Sequence, residues 1–121
     1  MPEQKTVQAF AAAVEAGDYL GAIERFYAPE VAVFENQAAQ TGGRAAFHAR
    51  ESATLAGVQS IKAQRARAIV CDGDQVAIHW RFEITARDGA TRPFEEVAWQ
   101  TWRGDRIVEE RFFYDPAQLS G

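Results

Sequence analysis

Hydrophobic positions along the chain follow two periods, one after the other. Val7, Phe10, Ala11 and Val14 recur at i, i+3, i+4 and i+7, which puts them on one helical face. Gly17 supplies the left-handed position that closes this helix, and Asp18 is placed to cap a second one. The second helix is expected to bury Leu20, Ile23 and either Phe26 or Tyr27, with Pro29 barring its continuation. Val31 to Glu35 reads as a short apolar strand that stops on a carboxylate. Gln37 to Gly43 is small and polar, a loop in which Thr41 would cap a third helix over Arg44 to Leu55. On that helix Ala46, Phe47, Arg50 and Thr54 lie near one face, with His48 and Glu51 beside it, and Gly57 ends it.

Beyond Gly57 the period becomes two. Ile61 to Val70 reads as a strand and Asp72-Gly73-Asp74 as a hairpin turn. Val76, Ile78, Trp80, Phe82 and Ile84 then alternate with Ala77, His79, Arg81, Glu83 and Thr85, the clearest strand pattern in the chain. Asp88-Gly89 predicts a second hairpin, Phe94 to Arg103 the next strand, Gly104-Asp105 a turn, and Arg106 to Tyr114 the last strand. Three helices followed by four strands joined by tight turns spell an α+β domain with an antiparallel meander. With no internal repeat, linker or low-complexity tract, residues 1–121 read as a single domain.

Composition narrows the partners. The net charge of −4 argues against nucleic acid or an anionic membrane, since both reward clustered Lys and Arg. Lys62, Arg65 and Arg67 form a small basic stripe on one strand, which the acidic balance elsewhere marks as a solvated face. A single cysteine, Cys71, excludes an internal disulfide and any multi-cysteine metal site. His48 and His79 are far apart and no ligand cluster accompanies them, so no metal is expected. There is no phosphate-cradling glycine loop, dinucleotide fingerprint or Ser-His-Asp arrangement, and no cofactor is expected. The first residues, Met1-Pro2-Glu3-Gln4-Lys5-Thr6, lack an apolar signal core, which makes a soluble cytoplasmic protein the expectation.

Val7-Gln8, Ala16-Gly17-Asp18, Phe26-Tyr27-Ala28, Val33 to Asn36, Gly43-Arg44, Trp102, Gly104-Asp105-Arg106-Ile107 and Phe113-Tyr114 come in a telling order and spacing. In these the chain resembles the nuclear transport factor 2-like superfamily, and within it the SnoaL-like branch and the ketosteroid isomerases. The resemblance implies a cystatin-like cone, in which a curved antiparallel sheet packs against three N-terminal helices around a mostly apolar cavity. It also implies a homodimer through the outer sheet face. Glu35 matches the position of the isomerase's general base. The isomerase's oxyanion-binding Tyr and Asp fall on Phe10 and at or near Ala98, and neither side chain has a donor. Losing one such donor costs about 2.7–4 kcal/mol of transition-state stabilisation, so steroid isomerisation is not expected.

Strand alternation extends this picture. If Ala98 points inward, so do Glu96, Gln100 and Trp102. The similar alignment turns Val108, Glu110, Phe112 and Tyr114 inward on the last strand, and Trp80 and Phe82 line the third. Candidate catalytic residues are therefore Glu35, Glu110 and Tyr114. Candidate substrate-binding residues are Phe10, His48, Trp80, Phe82, Gln100, Trp102 and Phe112. Glu35 and Glu110 would repel one another into one acid and one base; alternatively Glu110 pairs with an arginine such as Arg50 and holds the cone together. Whether Glu35 or Asn36 faces inward depends on the register, which a one-residue slip would invert. Trp99 falls on the outer face, with His79 and Arg81 on the polar side of the neighbouring strand, and marks the expected dimer surface. The function these features predict is cofactor-free proton transfer on a small apolar molecule, such as isomerisation, cyclisation or dehydration, with Glu35 moving the proton. The alternative is a non-catalytic ligand-binding module or a dimeric interaction domain.

Overall fold

A computed structural model describes residues 1–64 and 68–119. Its elements run α1 (Gln4–Glu15), α2 (Tyr19–Phe26), β1 (Tyr27–Glu35), β2 (Ala38–Gln40), α3 (Gly43–Ala56), β3 (Ser60–Ala63), β4 (Ala68–Asp72), β5 (Gln75–Thr85), β6 (Thr91–Arg103) and β7 (Arg106–Phe113). A 3-10 turn at Pro116–Leu119 follows. The strands form one open, curved sheet in the order β2-β1-β7-β6-β5-β3, with β4 also paired to β5. The meander β5-β6-β7 is antiparallel, as expected, but β1 joins β7 in parallel and makes the sheet mixed. The fold is therefore the α+β cone of the cystatin-like type.

Helix α1 buries Val7, Phe10, Ala11 and Val14, the face its spacing predicts. Gly17 takes φ +83 and the Asp18 side chain accepts the Gly21 N–H at 3.2 Å, so one helix ends and the next begins where the residues demand. Both Phe26 and Tyr27 are buried. Helix α2 stops at Phe26, before Pro29 is reached, because β1 already starts at Tyr27 and carries the proline inside an irregular stretch of its pairing with β7. At the start of α3 the cap is Gly42 rather than Thr41. Gly43 takes φ +67, and a Cβ there would lie 2.6 Å from the Pro29 carbonyl oxygen; only glycine lets α3 approach β1 so closely.

Three other expectations change. Residues 38–40, read as loop, form the short edge strand β2 on β1. The strand expected over Ile61 to Val70 is two strands, β3 and β4, laid end to end along β5. Ala63 pairs Phe82 while Ala68 pairs His79, so the chain carries two more residues than its partner between these points and cannot stay in register. Of the basic stripe, Arg65 and Arg67 lie outside the described residues. In β7 a bulge opposes two residues to the Thr101–Trp102 step, so Ile107 is fully buried and Val108, expected inward, is half-buried.

The core lies between the inner sheet face and the helices. Val76, Ile78, Trp80, Ala98, Trp102 and Ile107 pack against Phe10 of α1 and Ile23 and Phe26 of α2. The Phe10 ring meets Phe26, Tyr27 and Trp102 edge-on at 5.6–6.1 Å, the arrangement aromatic quadrupoles favour. No described helix is long and apolar enough to cross a membrane.

Candidate functional site

The core does not fill the cone. A cavity of about 280 Å³ remains between the helices and the inner sheet face. Its apolar wall comes from Phe10, Phe47, Trp80, Phe82, Phe94 and Phe112. Carboxyl groups enter from four elements: Glu35 at the end of β1, Glu51 on α3, Glu96 on β6 and Glu110 on β7. Among the described lining residues, Arg50 is the single Lys or Arg.

Glu35 is aimed inward by the residue after it. Asn36 takes the left-handed conformation, φ +52, which ends β1. Its N–H donates to the Phe112 carbonyl at 2.8 Å, and its side-chain oxygen accepts the Tyr114 N–H at 3.0 Å. Arg111 donates to its carbonyl and lays its guanidinium over the Phe34 ring. Asn36 thus clips the end of β1 to the end of β7, which brings the Tyr114 hydroxyl to Glu35 Oε1 at 2.7 Å. Burial, and after it the Glu35 acceptor and its charge, raises Tyr114 to about 12, so the phenol stays protonated and donates.

Glu110 sits deeper, in a chain of hydrogen bonds at the closed end. The Tyr27 hydroxyl donates to one carboxyl oxygen, Gln100 Nε2 to the other at 2.7 Å, and Trp102 Nε1 to Gln100 Oε1 at 2.9 Å. Burial drives the Glu110 carboxyl up and the two donors hold it down, leaving it at about 7. Burial and the adjacent Glu110 push Tyr27 well above the ordinary tyrosine range. Arg50 does not pair with Glu110: its Nη1 donates to the Thr41 carbonyl at 3.0 Å, and its Nη2 is buried without a partner.

Glu51 and Glu96 have no hydrogen-bond partner among the described residues. Burial raises the Glu96 carboxyl well above the usual range, and Glu110, Glu51 and Glu35 raise it further by repulsion. Burial and the neighbouring Glu35 raise Glu51 in the same direction.

Of the residues singled out from sequence, the structure brings Glu35, Glu110, Tyr114, Phe10, Trp80, Phe82 and Phe112 to one cavity. It sets three apart. Gln100 and Trp102 face inward but are sealed behind Glu110, as the support of the floor rather than its surface. His48 lies on the other side of α3, where Nε2 meets Glu24 Oε1 at 3.1 Å, because it follows the buried Phe47 and so turns about 100° away from it. Sequence reading passed over Glu51, Glu96 and Tyr27 as site residues. Glu96 had been placed inward by alternation, Glu51 follows Phe47 at i+4, and Tyr27 had only its burial to mark it.

On the outer face, Trp99, Phe113 and Val70 are 47%, 43% and 62% exposed. Strand register sets Trp99 between Ala77 and Arg111, and Phe113 beside Val97, whose other neighbour is His79. His79 and Arg81 both reach Glu95, at 3.6 and 3.4 Å.

Comparison with known proteins agrees with this geometry. The model of the family described as SnoaL-like domain matches residues 7–110. No curated protein matches the chain. Among solved structures, a Mesorhizobium loti protein provisionally described as a SnoaL-like polyketide cyclase is 25% identical, with a TM-score of 0.74 over 91% of this chain and 97% of that one. A Xanthomonas campestris protein of unknown function with a cystatin-like fold is 22% identical, with a TM-score of 0.81 over 98% and 95%. A Catenulispora acidiphila protein with a ketosteroid isomerase-like fold, solved in complex with trimethylamine, is 18% identical, with a TM-score of 0.79 over 96% and 89%.

Proposed function

Because the chain belongs to the SnoaL-like domain family, we propose that its cavity takes a small, largely apolar molecule and transfers a proton on it without a cofactor. Glu35 is the group that takes and returns the proton, and Tyr114 orients it. The observation that carries this reading is the 2.7 Å hydrogen bond between Tyr114 and Glu35 at the wall of an otherwise mostly apolar cavity. A donor on one carboxylate oxygen fixes the rotamer and leaves the other oxygen for substrate. Isomerisation, cyclisation and dehydration of a carbonyl compound all need such a group. The Mesorhizobium relative, provisionally described as a polyketide cyclase, is consistent with these reaction classes.

The test begins with thermal-shift screening against small ketones, terpenoids and polyketide-like aromatics, followed by NMR of deuterium exchange at the acidic C–H of any hit. Glu35→Gln is expected to lower the exchange rate by about 10²–10⁴-fold while the hit still binds. Exchange that survives this substitution would overturn the role of Glu35. Phe10 and Ala98, which bring no donor to a developing oxyanion, favour a second reading, a binding module without turnover. Tight binding with no exchange in the wild-type protein would establish it.

We also propose that two copies pair through the outer face. An exposed apolar stripe of Trp99, Val97 and Phe113, bordered by His79, Arg81 and Glu95, offers both charge signs to a copy of itself, as a two-fold interface requires. Sedimentation of Trp99→Lys is expected to give a monomer where the parent gives a dimer; a monomeric parent would end the proposal.

A further inference from the structure

Four carboxyl groups share the cavity with one guanidinium. Two of them have hydrogen-bond partners within the protein. Glu110 accepts from Tyr27 and Gln100, and Glu35 from Tyr114. Glu51 and Glu96 line the same space with no hydrogen-bond partner and no ion pair among the described residues. Both side chains are half-buried, and polar groups turned from solvent in native proteins are normally paired. Two of them left open toward a cavity, from a helix on one side and a strand on the other, are placed to meet something that enters it.

We propose that Glu51 and Glu96 form a subsite for a protonated amine, so that the cavity's ligand is a small, largely apolar ammonium compound. The inference rests on the reading of the cavity as a ligand pocket and adds the charge of the ligand to it. An anion would face four carboxyls. Arg50 is one guanidinium against them, and its Nη1 is committed to Thr41. A metal ion is not suited either: no three acidic, His or Cys side chains among the described residues converge closely enough to hold one. An ammonium group is large enough to bridge carboxyls on separate elements, and its three N–H donors match more than one acceptor. The aromatic wall of Trp80, Phe82, Phe94 and the ring of Tyr19 presents π faces that attract a cation and accept its hydrocarbon part.

The empty cavity offers a second argument. Burial raises both carboxyls, with repulsion from Glu35 adding to it at Glu51 and from Glu110, Glu51 and Glu35 at Glu96, so an empty cavity favours their protonated forms. The described titratable groups that share the cavity with them are Glu35 and Tyr27 from β1, Arg50 from α3, Tyr19 from α2, and Glu110 with Tyr114 from β7 and its end. An entering ammonium lowers both carboxyls and displaces a proton to solvent, which makes amine binding and proton release one event.

Calorimetric titration with 2-phenylethylamine and 2-phenylethanol at pH 7.5 tests this, because the two share a shape and differ in charge. The amine is expected to bind about tenfold more tightly, with a heat that varies with the ionisation enthalpy of the buffer. Glu96→Gln and Glu51→Gln are each expected to remove most of that preference. Equal affinity for amine and alcohol in the wild-type protein would overturn the ammonium subsite while leaving the cavity a ligand pocket. Failure of both probes and of the wider ligand screen would overturn the pocket reading itself, and the subsite with it.

Discussion

Glu110 and Glu96 lie on adjacent strands, on the same face of the same sheet, and both are carboxyls held above their ordinary range. Their surroundings are opposite. At the closed end of the cone, each Glu110 oxygen has a donor and the chain continues through Gln100 to Trp102. Toward the cavity, Glu96 has no partner of its own among the described residues. The closed end is polar structure that the fold completes; the cavity wall is polar structure that the fold leaves incomplete. Two carboxyls on neighbouring strands thus differ in whether the fold itself supplies their partners.

The largest effect expected is at the closed end. Glu110→Ala leaves the Tyr27 hydroxyl and the Gln100 amide as buried donors without an acceptor, at about 1–3 kcal/mol each. Urea unfolding at pH 7 is expected to show that loss as a lower midpoint at unchanged m. If Glu96→Ala proves as costly, the two carboxyls are equivalent and the contrast fails.

A smaller effect, of opposite sign, sharpens the contrast. The folded-state Glu96 carboxyl is raised above its unfolded value, so between those two values the unfolded chain binds fewer protons and stability falls as pH rises. Below the ordinary carboxyl range both states are protonated and the penalty vanishes. Glu96→Gln removes the titration. It is expected to match the wild type near pH 4 and to be more stable at pH 8 by on the order of 1 kcal/mol, the low end of the cost of an unpaired buried polar group. A melting curve that shows no pH-dependent gap between the two proteins would remove Glu96 from the buried set.

The smallest effect lies outside the cavity. His48 meets Glu24 in a surface contact, and such pairs contribute about 0–1 kcal/mol. His48→Ala is expected to leave ligand affinity unchanged and to lower the midpoint by no more than about 5 °C. A ligand affinity that drops with His48 would redraw the cavity mouth.

The same contrast explains what was legible beforehand. Periodicity found all three helices and alternation placed Trp80 and Phe82 on the correct face of β5, because one buried face leaves a period in the sequence; in β6, alternation carried to Glu96 an inward position for Ala98 that came from the resemblance. Glu35 was found through resemblance, and its inward aim depends on Asn36, whose left-handed backbone leaves no periodic trace. The bulge at Ile107–Val108 inverted one expectation because an extra residue is invisible until its partner strand is known. His48 was misjudged by a single helical position. The pairing of Tyr27 with Glu110 was out of reach of local reasoning, since it joins residues 83 apart.

That separation bears on how the molecule is assembled in time. The β6–β7 hairpin closes the Gln100–Glu110 contact over 10 residues, while β1 pairs with β7 over 77 to 80. By loop-closure entropy the longer link is harder to close by about 2 kcal/mol, some three doublings of length at about 0.6 kcal/mol each. Hairpins of this kind close in microseconds, whereas folds dominated by such distant pairings complete in milliseconds to seconds. The acidic cavity has no existence in the hairpins alone. It needs β1 beside β7 and the helices packed over the inner sheet face, so the distant pairing has to form before the cavity does.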